Sequence, residues 1–131
     1  MLRFEYMPSD FQPIFLFIGE GPDLADLARL LRRFAEKPQE IAVGETIPGA
    51  KWSAPLMLAP ADGAFGMRDL GGKFSWNLND WQATRIAERI DLLTPADQKS
   101  GSEIFEVGSE GEIPVKVSRG EFTDDFLISK R

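Results

Sequence analysis

The residue types that most often carry chemistry at a compact site are missing from this chain. Its 131 residues include no histidine and no cysteine. This excludes thiolate nucleophiles, disulfides, imidazole or thiolate metal sites, and the usual general base near neutral pH. No Ser-x-x-Lys, Gly-x-Ser-x-Gly, phosphate-loop or calcium-loop pattern occurs in the sequence either. We therefore expect no metal ion and no cofactor.

Carboxylates are the remaining groups that could act as general acid and base. Asp62 and Asp69 lie in the stretch 60–72, where four glycines and the lack of periodicity predict a long loop. These two could converge, and if the loop is an enzyme lid it should cover Asp62, Asp69 or Asp80 in a closed pocket. Asp124 and Asp125 are neighbours on a predicted strand, so their side chains point to opposite faces. A carboxylate-dependent enzyme, or a small-molecule-binding domain with its site under the 60–72 loop, is the alternative hypothesis.

Aromatic residues around the same stretch favour recognition over catalysis. Tryptophan, methionine and arginine are enriched at protein interfaces. Three tryptophans flank the predicted loop, while Phe65, Met67 and Arg68 lie within it. Ordinary core packing is the competing interpretation of the same residues. The predicted binding surface comprises Trp52, Phe65, Met67, Arg68, Asp69, Trp76, Asp80 and Trp81.

A glycine pair before the first predicted helix resembles part of a dinucleotide-binding turn. Gly19 and Gly21 flank Glu20, but the third position of that fingerprint is Leu24. Acidic residues surround the helix N-terminus and would repel a pyrophosphate. We interpret this segment as a strand-to-helix turn whose acids match the helix dipole.

The charge balance also excludes classes of partner. Fifteen Lys and Arg stand against 21 Asp and Glu, so the net charge is -6. This opposes binding to nucleic acid and to anionic membrane surfaces. Seven acids follow Gly101, and they predict either a solvated face or an acidic surface for a basic partner. They are Glu103, Glu106, Glu110, Glu112, Glu121, Asp124 and Asp125.

Two helices must position these residues. Pro22 begins a helix over 22–37, whose apolar stripe includes Leu27, Leu31 and Phe34. Asn79 and Gln82 form a capping box at the start of the second helix. That helix has an apolar stripe through Ala83, Ile86, Ala87, Ile90 and Leu93, and it ends at Thr94-Pro95.

Strands surround the helices. Alternation over 2–7 predicts a strand with one buried face, and the apolar run 13–18 predicts a central strand covered on both faces. Pro114 places the strand through 113–117 at an edge or at a bulge. Further strands are predicted at 40–43, 56–58, 73–76, 104–107 and 122–128.

The order of elements predicts an α+β fold. We expect one domain over 1–131, with a largely antiparallel sheet and two helices packed on one face. A split βαβ, ferredoxin-like plan with extra strands fits this order. Segments 40–45 and 103–108 resemble each other faintly, too weakly to indicate a duplication.

These observations favour a small acidic protein-binding module, either homo-oligomeric or an antagonist of a basic protein, as immunity proteins are. The most apolar run, 13–18, is too short to span a membrane and lacks the features of a secretion signal. A chain without cysteine suits a reducing compartment. We expect a cytoplasmic protein with a protein partner or self-association.

Overall fold

The structure is a computed structural model, which describes residues 1–8, 12–97 and 100–120. These residues form an α+β fold with two mixed sheets, which confirms the predicted fold class. The first sheet has the order β4-β1-β2-β9-β8 and the second has the order β3-β5-β7-β6. The strands are β1 (Arg3–Met7), β2 (Ile14–Gly19), β3 (Ile41–Ala42), β4 (Lys51–Trp52), β5 (Leu56–Pro60), β6 (Gly66–Asp69), β7 (Phe74–Leu78), β8 (Gly101–Phe105) and β9 (Val115–Arg119). The helices are α1 (Gly21–Glu36), α2 (Val43–Thr46) and α3 (Asp80–Asp91).

The two long helices begin where the sequence predicts and bury the predicted stripes. The N–H of Gln82 donates to Asn79 at 2.8 Å, and the N–H of Asn79 donates back to the Gln82 side chain at 3.0 Å. At α1, the N–H of Glu20 donates to the carboxylate of Asp23 at 2.9 Å, as part of a capping box. All five stripe residues on which the predicted packing depends are buried: Leu27, Leu31, Phe34, Ile86 and Ile90.

The fold contains an internal repeat. Both halves of the chain contain an antiparallel hairpin, then a long helix, then an antiparallel pair of strands: β1, β2, α1, β3 and β5 in the first half, and β6, β7, α3, β8 and β9 in the second. The first half also contains α2 and the short strand β4, which lie between β3 and β5. Each sheet joins the hairpin of one half to the last two strands of the other. The sequence predicted one sheet, because strand patterns alone do not tell which half supplies a partner strand.

Contacts between equivalent residues show where the two halves meet. Residues that are 59 positions apart in the sequence are equivalent in the two halves. Phe15 on β2 pairs with Val115 on β9, and their equivalents Phe74 on β7 and Leu56 on β5 pair in the same way. Arg32 and Asp91 are also 59 residues apart. Phe15 packs against its equivalent Phe74 with ring centroids 5.1 Å apart, and Phe17 packs against Trp76 at 5.5 Å. Arg32 forms an ion pair with Asp91, and this hydrogen bond raises the pKa of Arg32. The halves therefore meet around a pseudo-twofold axis.

The segment 60–72 is not the long loop that the sequence predicts. Strand β6 occupies its second half and pairs antiparallel with β7. Gly66, Gly71 and Gly72 adopt positive φ angles of 96°, 86° and 100°, so they shape the start and the turn of this hairpin. Glycines at these positions interrupt the apolar pattern from which a strand is recognised.

Two other strand predictions need correction, and a third is not tested. Strand β9 lies inside its sheet, between β2 and β8, and is not an edge strand. Pro114 is compatible with this because it precedes β9 and accepts through its carbonyl from the N–H of Phe15 at 2.9 Å. The predicted strand 40–43 is only Ile41–Ala42, since the chain then turns into α2. The strand 122–128, with Asp124 and Asp125, lies outside the described residues.

Within the described residues, no helix has the length and apolar character needed to cross a bilayer.

Candidate functional site

The structure separates the residues of the predicted binding surface. Trp76 and Met67 belong to the core, with 2% and 0% of their surfaces exposed. Trp52 lies on β4, where its ring is 5.8 Å from that of Phe4 and parallel to it. Gly44 provides room for this ring, since a Cβ there would lie 2.7 Å from it. Trp81 lies elsewhere, on the first turn of α3.

Two polar members of that surface hold the local fold together. The guanidinium of Arg68 donates to the carbonyls of Glu110 at 2.6 Å and Phe65 at 2.8 Å. The carboxylate of Asp69 accepts from the N–H of Gly71 at 2.9 Å, which closes the β6–β7 turn. Arg68 therefore links β6 to the turn before β9, and its guanidinium is not a free group at the edge of a binding surface.

The carboxylates considered for catalysis are exposed. Asp62, Asp69 and Asp80 are all open to solvent. The carboxylate of Asp80 accepts from the N–H of Trp81 at 2.8 Å. Within the described ranges, no group of three or more acidic residues is arranged to hold a metal ion. None of these three carboxylates therefore lies in a buried pocket of the kind expected for a carboxylate-dependent enzyme.

An open groove between α3 and the end of β8 combines aromatic, apolar and charged groups. We call it the α3–β8 groove, and its volume is about 280 Å³. Its residues are Trp81, Gln82, Arg85, Ile86, Arg89, Phe105, Glu106 and Val107. Of the predicted binding surface it contains Trp81, with Asp80 adjacent in sequence.

The helix wall of the groove follows from the helical repeat. Trp81, Arg85 and Arg89 are spaced by four residues, so their side chains form one row along α3. Gln82 and Ile86 form the neighbouring row toward the core, and Ile86 is buried. The capping box at Asn79 and Gln82 determines where this row begins.

The strand wall is supplied by Phe105 and the two residues after it. Phe105 is buried, while Glu106 and Val107 are exposed. The guanidinium carbon of Arg89 lies 5.1 Å from the centre of the Phe105 ring, and Arg89 forms an ion pair with Glu103 at 2.6 Å. These contacts tie the strand wall to the helix wall.

Arg85 is the second arginine that lines the groove. Its guanidinium carbon is 5.8 Å from the centre of the Trp81 ring. Among residues 1–8, 12–97 and 100–120, it has no carboxylate within ion-pair distance. Trp81 is 68% exposed, an unusual state for so large an apolar ring. An arginine beside an exposed tryptophan is a typical interface combination.

A smaller depression lies around Trp52. It has a volume of about 150 Å³ and is mostly apolar, with Met57 and Phe74 among its lining residues. Lys73 and Glu45 also line it. This depression offers room for one side chain and carries both signs of charge.

Two of the C-terminal acids within the described residues are bound inside the fold. Glu103 is paired with Arg89. The carboxylate of Glu112 accepts three backbone N–H groups, from Val107 at 3.0 Å, Gly108 at 2.6 Å and Ser109 at 2.9 Å. Glu121, Asp124 and Asp125 lie outside the described residues. Of the four described acids after Gly101, Glu103 and Glu112 thus stabilise the fold through contacts within the chain.

Sequence reasoning missed Arg85, Arg89 and Phe105 as members of one site. The row of Trp81, Arg85 and Arg89 on the polar side of α3 was a usable signal, because it puts an aromatic ring beside two cations. Nothing in the sequence pattern, however, brings Phe105 next to this row.

Comparisons with other proteins found no matching protein family, no similar curated protein and no similar solved structure.

Proposed function

We propose that this protein is a protein-binding module that contacts its partner through the α3–β8 groove. The observation that carries the proposal is the exposure of Trp81 beside Arg85 at the mouth of a groove with a buried apolar floor. Tryptophan and arginine dominate the binding energy of many interfaces, and they do so next to apolar pockets. Burying the exposed ring would supply favourable free energy to association.

The open form of the groove supports a protein partner over a small ligand. Pockets that enclose drug-sized ligands have volumes of about 300–1,000 Å³ and surround most of the ligand. The α3–β8 groove, at about 280 Å³, is close to the lower end of that range, but it is open to solvent and would enclose less of such a ligand. It suits one or two side chains of a larger molecule.

The rest of the chain supports the same proposal. A net charge of -6 disfavours nucleic acid as the partner. Arg85 favours a partner that is acidic at the point of contact, in place of the basic partner that overall charge suggests. We place the module in the cytoplasm, because a chain without cysteine suits a reducing compartment.

Site-specific photo-crosslinking tests the proposal. A photoreactive phenylalanine replaces the exposed Val107, on the strand wall of the groove, in one variant and the exposed Arg33, on α1, in the control. We expect position 107 to crosslink one defined protein in a lysate of the source cells, and position 33 not to do so. Adding Trp81→Ala protein should fail to compete, while wild type should compete. Equal crosslinking from both positions, or none from position 107, would contradict the proposal.

A further inference from the structure

The internal repeat gives the α3–β8 groove a counterpart on α1. At the offset of 59 residues seen between Arg32 and Asp91, Arg85 corresponds to Asp26 and Arg89 corresponds to Leu30. Asp26 and Leu30 lie beside Thr46, Ile47 and Pro48. Leu30 and Ile47 are both buried, at 4% and 5% exposure. At the same offset Ile47 corresponds to Glu106, so the first half has two buried aliphatic residues where the groove has the charged side chains of Arg89 and Glu106.

The equivalent region of the second half, after β8, has a different structure. The chain after β8 enters a turn that the Glu112 carboxylate binds through three N–H groups. Arg68 ties that turn to β6 through the Glu110 carbonyl. The turn is thus held toward the other sheet, and Trp81 and Arg85 remain exposed on α3. The two halves therefore differ at this place, which is aliphatic and buried in the first half and charged and open in the second.

We propose that the α3–β8 groove takes an aliphatic side chain of a partner segment, flanked by an acidic residue whose carboxylate binds Arg85. This inference rests on the proposed function. Ile86 and Phe105 supply the apolar floor on which the aliphatic side chain would pack. An arginine binds a carboxylate through two parallel N–H donors, which gives both strength and orientation.

The charges of the groove determine which way the segment lies. Arg89 is already paired with Glu103, so Arg85 is the cation that a partner's acid meets. Glu106, on the strand wall, would repel an acid placed there. The partner's acidic residue must therefore lie along α3, with the aliphatic side chain between α3 and β8.

A library of random dodecapeptides displayed on phage tests this inference against the whole protein. The same library is panned on wild type, on Arg85→Glu and on Arg33→Glu, which makes the same charge change on an exposed part of α1. We expect wild type and Arg33→Glu to enrich peptides with Asp or Glu close to Ile, Leu or Val. Synthetic versions of these peptides should bind Arg85→Glu at least about tenfold more weakly, and that variant should select Lys or Arg in place of the acid. Circular dichroism of each variant checks that it is folded.

The outcomes separate this inference from the proposed function. Peptides that need Trp81 and Ile86 but carry no acid would overturn the inference and leave the proposed function standing. An absence of any peptide whose binding depends on groove residues would overturn both. Self-association in sedimentation that Arg85→Glu abolishes would assign the groove to a second copy and overturn the inference.

Discussion

The described arginine side chains differ in what they contact: some bind backbone carbonyls, some form ion pairs, and Arg85 lies beside an aromatic ring. Arg68 and Arg119 each donate to two carbonyl oxygens. The guanidinium of Arg85 instead lies over the ring of Trp81, on the exposed side of α3. The residue type alone does not distinguish these roles, because both use the same planar set of donors. The distinction comes from burial and from the acceptors that surround each guanidinium.

Arg119 provides a test at the level of single residues. Its guanidinium is buried and donates to the carbonyls of Leu93 and Pro95, both at 2.7 Å, just after the end of α3. Arg119→Met keeps much of the side-chain volume but leaves these acceptors without donors. We expect the free energy of unfolding to fall by about 1–3 kcal/mol, as measured by urea denaturation.

The matched control for Arg119 is Arg33→Met, which removes an exposed guanidinium. It should change stability by no more than about 0.5 kcal/mol. Equal effects of the two substitutions would mean that the Arg119 hydrogen bonds contribute nothing to the fold.

Among the elements, the contact between α1 and α3 joins the two halves of the chain. The apolar stripes of both helices are buried, and Arg32 on α1 pairs with Asp91 on α3. That ion pair is partly exposed, so its contribution to stability is small, about 0–1 kcal/mol. Apolar packing therefore dominates the energy of the helix pair and positions the row of α3 that lines the groove.

Leu31→Ala tests the packing of α1. Leu31 has no exposed surface, and its removal leaves a cavity in the core. We expect a loss of about 2–5 kcal/mol in the free energy of unfolding, measured by chemical denaturation. Arg29→Ala, on the exposed side of the same helix, is the control and should change stability by about 0.5 kcal/mol or less. A loss below about 1 kcal/mol in Leu31→Ala would contradict the buried stripe.

Across the molecule, exchange of strands between the halves determines the architecture. Neither half contains a complete sheet, since each sheet takes its hairpin from one half and its last two strands from the other. Phe15, Phe17 and their equivalents Phe74 and Trp76 pack where the two sheets face each other. Each half thus depends on the other for both its hydrogen bonds and its core.

A split chain tests this dependence. Cleavage between the exposed Asp62 and Gly63 separates the strands β1 to β5 from the strands β6 to β9. We expect each fragment alone to show no cooperative thermal transition, and an equimolar mixture to regain one together with the near-ultraviolet signal of packed aromatic rings. A fragment that folds cooperatively by itself would show that the exchanged strands are dispensable.

Local patterns in the sequence account for the helices and for the class of fold. The helices α1 and α3, their buried stripes and the capping box at Asn79 follow from periodicity and from hydrogen bonding, which act over a few residues. The α+β class follows from the order of those elements. The lack of histidine and cysteine excludes whole classes of chemistry by composition alone.

The sheets and the candidate site depend instead on how distant segments pack. Glycines interrupt the apolar pattern that would identify the strand β6. Pro114 precedes an inner strand and not an edge strand. Trp76 and Met67 lie in the core and not on a binding surface. Arg85 and Phe105 come together because β8 pairs with β9, which in turn pairs with β2 of the other half. The physical reason is that pairing between distant strands depends on the burial of the whole core, and no local pattern records which strand will be the neighbour.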